Sequence, residues 1–366
     1  MKKIFLITAF IFCLLPCFCI KTLAYEDSQT ESIAEQAGAN NLENDYLTED
    51  ELSGDKSVNV FEKTLSIIKD SLRDNGLSVV RSFGGVLAVV LLSCVMGAMK
   101  FGQNETLDKV CGYISVLVLA GVTYNILYKL FVYITAVMES LTVAVGSLMP
   151  IMASLYVFGG NSAAGAASST GLLLLLSVIS MICTKVILPL LRISFALCLT
   201  GAIPGSINLG SVTNLVKNTS TTLMAFVFTL LGFALYLQTA VASASDSFVT
   251  RSVKFASGVI VPVIGNMLGD ASRTVMASVS VIKGSVGAVG VVIILSIVIP
   301  PIIVVLLNKL MLLICGIVSK SLGCEIESRF LYDLLGTLNV LLALVAGAGA
   351  VCIIALAVFV KTGVAV

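Results

Sequence analysis

Long apolar runs separated by short polar links organise this chain. After Lys2 and Lys3, an apolar run from Ile4 to Ile20 leads into Thr22, Leu23 and Ala24. That is the layout of a secretory signal peptide over residues 1–24. A retained anchor is the alternative, because Pro16 breaks the run and Lys21 precedes the cleavage position. Residues 26–57 are acidic and polar and lack the apolar content to fold alone. From Val60 to Asp74 the pattern changes, with Phe61, Leu65, Ile68 and Leu72 at helical spacing and Gly76 placed to end the helix. Residues 25–80 therefore read as an extracytoplasmic acidic tether followed by an amphipathic helix lying on the membrane or on the protein.

Residues 81–366 read as a polytopic membrane domain. Spans are expected near Phe83 to Met99, Val110 to Tyr128, Gly171 to Leu191, Thr221 to Ala242, Val286 to Leu307 and Leu334 to Val360, each close to the roughly 20 apolar residues that crossing requires. Gly102 to Lys109, Pro204 to Ser220 and Lys320 to Asp333 read as polar or charged links. Two segments fit neither class. Residues 130–158 are apolar but interrupted by Glu139, Gly146 and Pro150. Residues 248–290 are too apolar for a loop, yet carry Arg251, Lys254, Asp270, Arg273 and Lys283, with Pro262 and Gly265 in the apolar portion. A charge at a helix centre costs about 2.5–3.5 kcal/mol on insertion. Such segments are expected to pack between other helices or to dip part-way into the bilayer.

These two segments correspond within an internal repeat. Pro150 and Pro262, Pro189 and Pro301, and Tyr124 and Tyr236 are each 112 residues apart. The expected fold class is thus all-α, a polytopic helical membrane protein with an internal repeat of interrupted helices, in units of about 110–215 and 222–327. If the interrupted segments re-enter, each unit has two spans and both units point the same way; if they cross, each has three and the units are inverted. Interrupted helices of this kind line or pack the pathways of transporters.

Composition agrees with a membrane protein and removes most chemistry. The chain is 58% hydrophobic and 12% charged, against about 45–50% and 25% for soluble domains. Its net charge of +1 gives no basic face for nucleic acid. With no His, His-based catalysis and most transition-metal sites are excluded. Three of the ten cysteines lie in the N-terminal run and the rest are scattered singly without a CxxC, suggesting small buried hydrophobes. No phosphate-binding loop is present. Tyr332-Asp333 and Gly269-Asp270 only faintly resemble an intramembrane aspartyl protease, with Met267 where that motif has Gly and the motifs in reversed order. No catalytic residue, cofactor or metal is expected. The intramembrane Glu139 is a functional candidate by default, or a glutamate at the interface between shorter helices. Asp270 and Arg273 are spaced to pair on a helix, and Arg251 and Lys254 to snorkel to headgroups.

The FVTRSVKF run at 248–255, PVIG at 262–265, the region of Asp270 and IKGSVGAVG at 282–290 resemble the stage III sporulation protein AE family of endospore-forming bacteria. The resemblance covers essentially the whole mature membrane region. It implies a multi-pass protein of the mother-cell membrane around the forespore, acting in a channel-like, secretion-type complex required for spore formation. The implied partners are other stage III sporulation A-group proteins, including a secretion-type ATPase and ring-forming proteins, and stage II sporulation protein Q across the intermembrane space. Independently of the resemblance, the repeat and Glu139 permit a second reading, a stand-alone secondary transporter for a small solute. The basic residues of the second interrupted segment, absent from the first, are expected to contact protein or lipid.

Overall fold

The computed structural model describes residues 59–98, 105–158, 177–201, 210–260 and 264–362, without the side chains of 238–284 and of scattered residues elsewhere, chiefly near helix ends. All regular structure among them is helical. Six helical elements follow in order: α1 (Val60–Ala98), α2 (Glu105–Phe158), α3 (177–201), α4 (Gly210–Ile260), α5 (Ile264–Ser321) and α6 (Glu325–Thr362). Within them, Val60–Val95, Gly112–Leu148, Ser177–Leu199, Ser285–Ser321 and Glu325–Val358 are long and apolar enough to cross a membrane. The protein is a multi-pass helical membrane protein.

The helices are longer than the pattern of breakers suggests. Gly76 does not end α1, which continues 39 residues without a break. A glycine inside a helix costs only about 1 kcal/mol, and Ile67, Val86 and Val90 on its inner face are fully buried. The expected stripe of Phe61, Leu65, Ile68 and Leu72 points outward, with Phe61 78% exposed. Nor is residues 130–158 an interrupted segment: α2 runs unbroken for 54 residues with Pro150 inside it. Pro150 is exposed, so its ring and the Gly146 carbonyl deprived of a donor lie on the outer side of the helix. The link at 204–220 is shorter than expected, since α4 already begins at Gly210.

Contacts fix the direction of each helix. Thr142 meets Ser180 and Thr135 meets Arg192, so α2 and α3 are antiparallel. Gly287 faces Val360, Gly290 faces Leu356 and Gly349 faces Val298, so α5 and α6 are antiparallel as well. Helix α4 runs parallel to α6, with Lys217 at Gly336 and Phe228 at Gly347. Ser93 at the end of α1 touches Glu327 at the start of α6. Direction thus alternates at every helix. The ends of α1, α3 and α5 gather with the starts of α2, α4 and α6 at one end of the bundle, here called the junction end. α6 is the central helix, packed against α2, α3, α4 and α5, while α1 and α2 cover α5. Its buried positions Leu331, Leu334, Leu338, Leu341, Val345 and Leu356 form the middle of the core.

The helix pairs α2–α3 and α4–α5 run in the same sense, but the internal repeat is not confirmed. The matched prolines sit in unlike backbone. Pro189 follows a π-helical turn at Cys183–Ile187, whereas Pro300 and Pro301 lie inside the regular helix α5. Pro262 is outside the described residues.

Candidate functional site

The residues singled out by the sequence do not converge on one centre. Glu139 lies on α2 with its side chain exposed, and so does Pro150. Arg251 and Lys254 fall in the second half of α4, and Gly265, Asp270, Arg273 and Lys283 in the first half of α5. Their side chains, like the whole of Pro262, lie outside the described residues. Polar groups do meet elsewhere in the bundle, at three joints.

The first joint holds a buried cation between α3, α4 and α6. Thr213, Lys217 and Ser220 on α4 are buried, and the same helical face continues through Met224, Val227 and Leu231. The Lys217 ammonium donates to the Asp333 carbonyl oxygen at 2.6 Å. It fits because residue 336 is glycine: a Cβ there would stand 3.1 Å from Nζ. Cys198 of α3 closes the joint, with Sγ 3.9 Å from the same carbonyl and 4.0 Å from Thr337 Oγ1. One turn earlier the Ser194 hydroxyl is buried without a hydrogen-bond partner. The acceptor is a backbone carbonyl and the Asp333 side chain is exposed. This geometry holds three helices in register.

The second joint lies at the junction end. Buried Glu327 accepts a hydrogen bond from Ser93 of α1. Ser319 donates to the Cys324 carbonyl at 3.0 Å and Ser328 to the Gly316 carbonyl at 3.1 Å, closing the α5–α6 turn. Gly323 adopts φ +83° in that turn, a conformation open to glycine and strained for other residues. Cys94 and Cys324 lie side by side with Sγ atoms 2.7 Å apart. Burial, then the hydrogen bond and charge of Cys94, push the Cys324 thiol up to about 12.

The third joint is the α2–α3 seam. Arg192 donates to Thr135 Oγ1 at 3.0 Å, one turn from Glu139, and Thr142 meets Ser180 a turn further on. The π-helical turn lies beside this seam. A cavity of about 30 Å³ opens there between α2, α3 and α6, lined by Thr142, Ser180, Cys183 and Cys352 among apolar side chains. It has room for about one water. Among the described residues no cluster of three or more His, Cys, Asp or Glu side chains is placed to hold a metal.

Sequence reasoning overlooked Lys217, Gly336, Glu327 and the Cys94–Cys324 pair. The first had a usable signal. Thr213, Lys217, Ser220, Met224, Val227 and Leu231 recur at alternating steps of four and three, one helical face running out of the polar link into the span.

The family model described as Stage III sporulation protein AE matches residues 44–363. The chain is 25% identical over 215 residues to Stage III sporulation protein AE of Bacillus subtilis (strain 168), covering 58% of this chain and 54% of that relative. The chain thus spans about half the length of the curated relative it matches. No solved structure matches.

Proposed function

Because the chain belongs to the stage III sporulation protein AE family, we propose that it is a non-enzymatic core subunit of a membrane complex joining mother cell and forespore. Of the two roles open to such a subunit, pore or export gate and assembly platform, the geometry favours the platform. The observation that carries this is the uneven burial of the spans. Only 17% of the apolar window of α1 is buried, against 50% for that of α6. Phe61, Leu65, Leu72, Leu77, Leu91 and Leu92 of α1 all face outward, a surface suited to lipid and to other apolar helices. The joints at Lys217 and Glu327 meanwhile keep the rest of the bundle in register. Glu139 faces outward rather than into the bundle, so it gives no support to a stand-alone transporter.

On this reading the mother-cell membrane holds the bundle. The other stage III sporulation A-group proteins, with their secretion-type ATPase and ring-forming members, assemble on it, and stage II sporulation protein Q meets it across the intermembrane space. Copurification from sporulating cells should recover those partners with the intact chain. Recovery of an isolated protein active in solute transport by itself would overturn the proposal.

The junction end is assigned to the cytoplasm. Lys320 and Arg329 flank the α5–α6 turn there and Lys100 and Lys109 lie between α1 and the first span residues of α2, but Arg251, Lys254, Arg273 and Lys283 balance them at the opposite end. The assignment therefore follows from the secretory-signal layout of residues 1–24, which puts the start of α1 outside. Helices α4 and α5, of 51 and 58 residues, would be about 75 and 85 Å long if straight, more than twice the roughly 30 Å hydrocarbon core. Arg251, Lys254, Arg273 and Lys283 lie on their far portions, where we assign them to contact with a partner or with lipid headgroups. In a background whose native cysteines are replaced by serine, Gly160→Cys and Thr250→Cys should label from outside the cell. Gly210→Cys and Glu325→Cys should label only after permeabilisation. The reverse pattern would invert the assignment.

A further inference from the structure

We propose that Cys94 and Cys324 form a reversible thiol–disulfide pair that fastens the end of α1 to the α5–α6 turn. The two residues are 230 positions apart in sequence, yet the fold sets their sulfurs 2.7 Å from each other. Both ends of the contact are held by neighbours. Ser93, next to Cys94, is anchored on Glu327, while the Cys324 carbonyl accepts from Ser319. Both thiols are half-buried, within reach of a small oxidant, whereas Cys183, Cys198, Cys315 and Cys352 are buried. Among the cysteines whose side chains are described, selectivity therefore comes from placement. The helix that the pair would fasten is also the one with the least buried apolar window, α1.

The oxidant is a low-molecular-weight disulfide acting by exchange. The Cys94 thiolate attacks one sulfur of that disulfide, forming a mixed disulfide and releasing one small thiolate. Cys324, no longer facing the charge of Cys94 and giving its proton to the small thiolate just released, then attacks the protein sulfur of the mixed disulfide and releases the other. Two protein thiols become one disulfide, the small disulfide is reduced to two thiols, and the two protons leave with them. Disulfides seldom persist in a reducing compartment, so at a cytoplasmic junction end the pair rests as thiols and closes under oxidative load.

The test uses the full chain in membranes, treated with oxidised glutathione, trapped with N-ethylmaleimide and analysed by mass spectrometry of linked peptides. The expected product is one intramolecular peptide pair joining Cys94 to Cys324, absent in Cys94→Ser and in Cys324→Ser, and reversed by dithiothreitol. Ser93→Ala, which frees the neighbouring residue, should slow closure several-fold while preserving both thiols. Three results would overturn the proposal: both cysteines alkylated with no linked peptide, glutathione stably attached without closure, or the same link found only between two copies of the chain. The wild-type measurement decides the matter even if a serine variant fails to accumulate.

Discussion

Replacing Gly349 by leucine should remove most of the folded protein from the membrane. A Cβ at this position would lie 2.6 Å from Cγ1 of Val298, 2.9 Å from Cγ2 and 3.2 Å from Cβ. A β-branched side chain has little freedom to swing aside, so the backbones of α5 and α6 must separate. A Cβ on Gly287 or Gly290 of α5 would lie 2.7 Å from Val360 and 3.0 Å from Leu356 of α6, respectively, and the opening would spread along this line. In a bilayer the association of helices rests on such close packing of small residues, because lipid tails are as apolar as the side chains they replace. Overpacking a core costs typically about 1–3 kcal/mol, and a leucine forced between two helix backbones should stand at or above the upper figure. The measurements are the yield of monodisperse protein in detergent and its thermal unfolding midpoint. Gly121→Leu on α2 and Gly232→Leu on α4 are the controls, since a Cβ at either meets nothing within 4 Å. If Gly349→Leu behaves like these two, the α5–α6 interface is not packed as described.

The hydrophobic pattern carried the fold class, while the family was reached through the resemblance of the residues between Phe248 and Gly290. The pattern misjudged where helices end. Gly76 and Pro150 read as breakers, but a breaker contributes a local cost that tertiary packing overrides. Just before Pro150, α2 buries Val145 and Leu148 on one face while the proline itself stays exposed. The polar run before Thr221 read as a link because Ser211, Asn214 and Asn218 dominate it. Those residues are the exposed face of a helix whose other face carries Thr213, Lys217 and Ser220 inward. The joints between helices were legible only in part. Lys217 lay on a stripe that periodicity exposes. Glu327 against Ser93, and Cys94 against Cys324, are pairs more than 200 residues apart, and no local pattern in a single sequence records which helix ends the topology gathers together. Glu139 is a functional candidate as an ionisable residue in an apolar run, and its side chain is exposed.

Gly336→Ala should destabilise the protein, and Lys217→Met should cancel most of that loss. The added methyl would stand 3.1 Å from Lys217 Nζ and 3.6 Å from Cε, pushing the ammonium away from the Asp333 carbonyl it now meets at 2.6 Å. The ammonium must give by a few tenths of an ångström, weakening a charged hydrogen bond worth about 1.5–3 kcal/mol. This loss is expected to exceed the roughly 1 kcal/mol that alanine gains over glycine inside a helix. Lys217→Met by itself removes the buried cation and keeps a side chain of similar length. Replacing a buried ionic group by an apolar one of similar volume is often neutral, so a change within about 1 kcal/mol is expected. In the double variant no charge is stranded, and the flexible methionine can yield to the alanine methyl. The double-mutant cycle should therefore show a favourable coupling of at least about 1 kcal/mol, within the range for residues in direct contact, read from thermal or denaturant unfolding in detergent. Additive losses would mean that Lys217 is not seated over Gly336. The same cycle bears on function, because this joint sets the register of α4 on α6. If the chain is a platform whose outer helices receive partners, Gly336→Ala should lower partner recovery in the copurification assay and the double variant should restore it. Failure of the double variant to restore recovery, with stability regained, would separate the joint from assembly and leave it a purely structural contact.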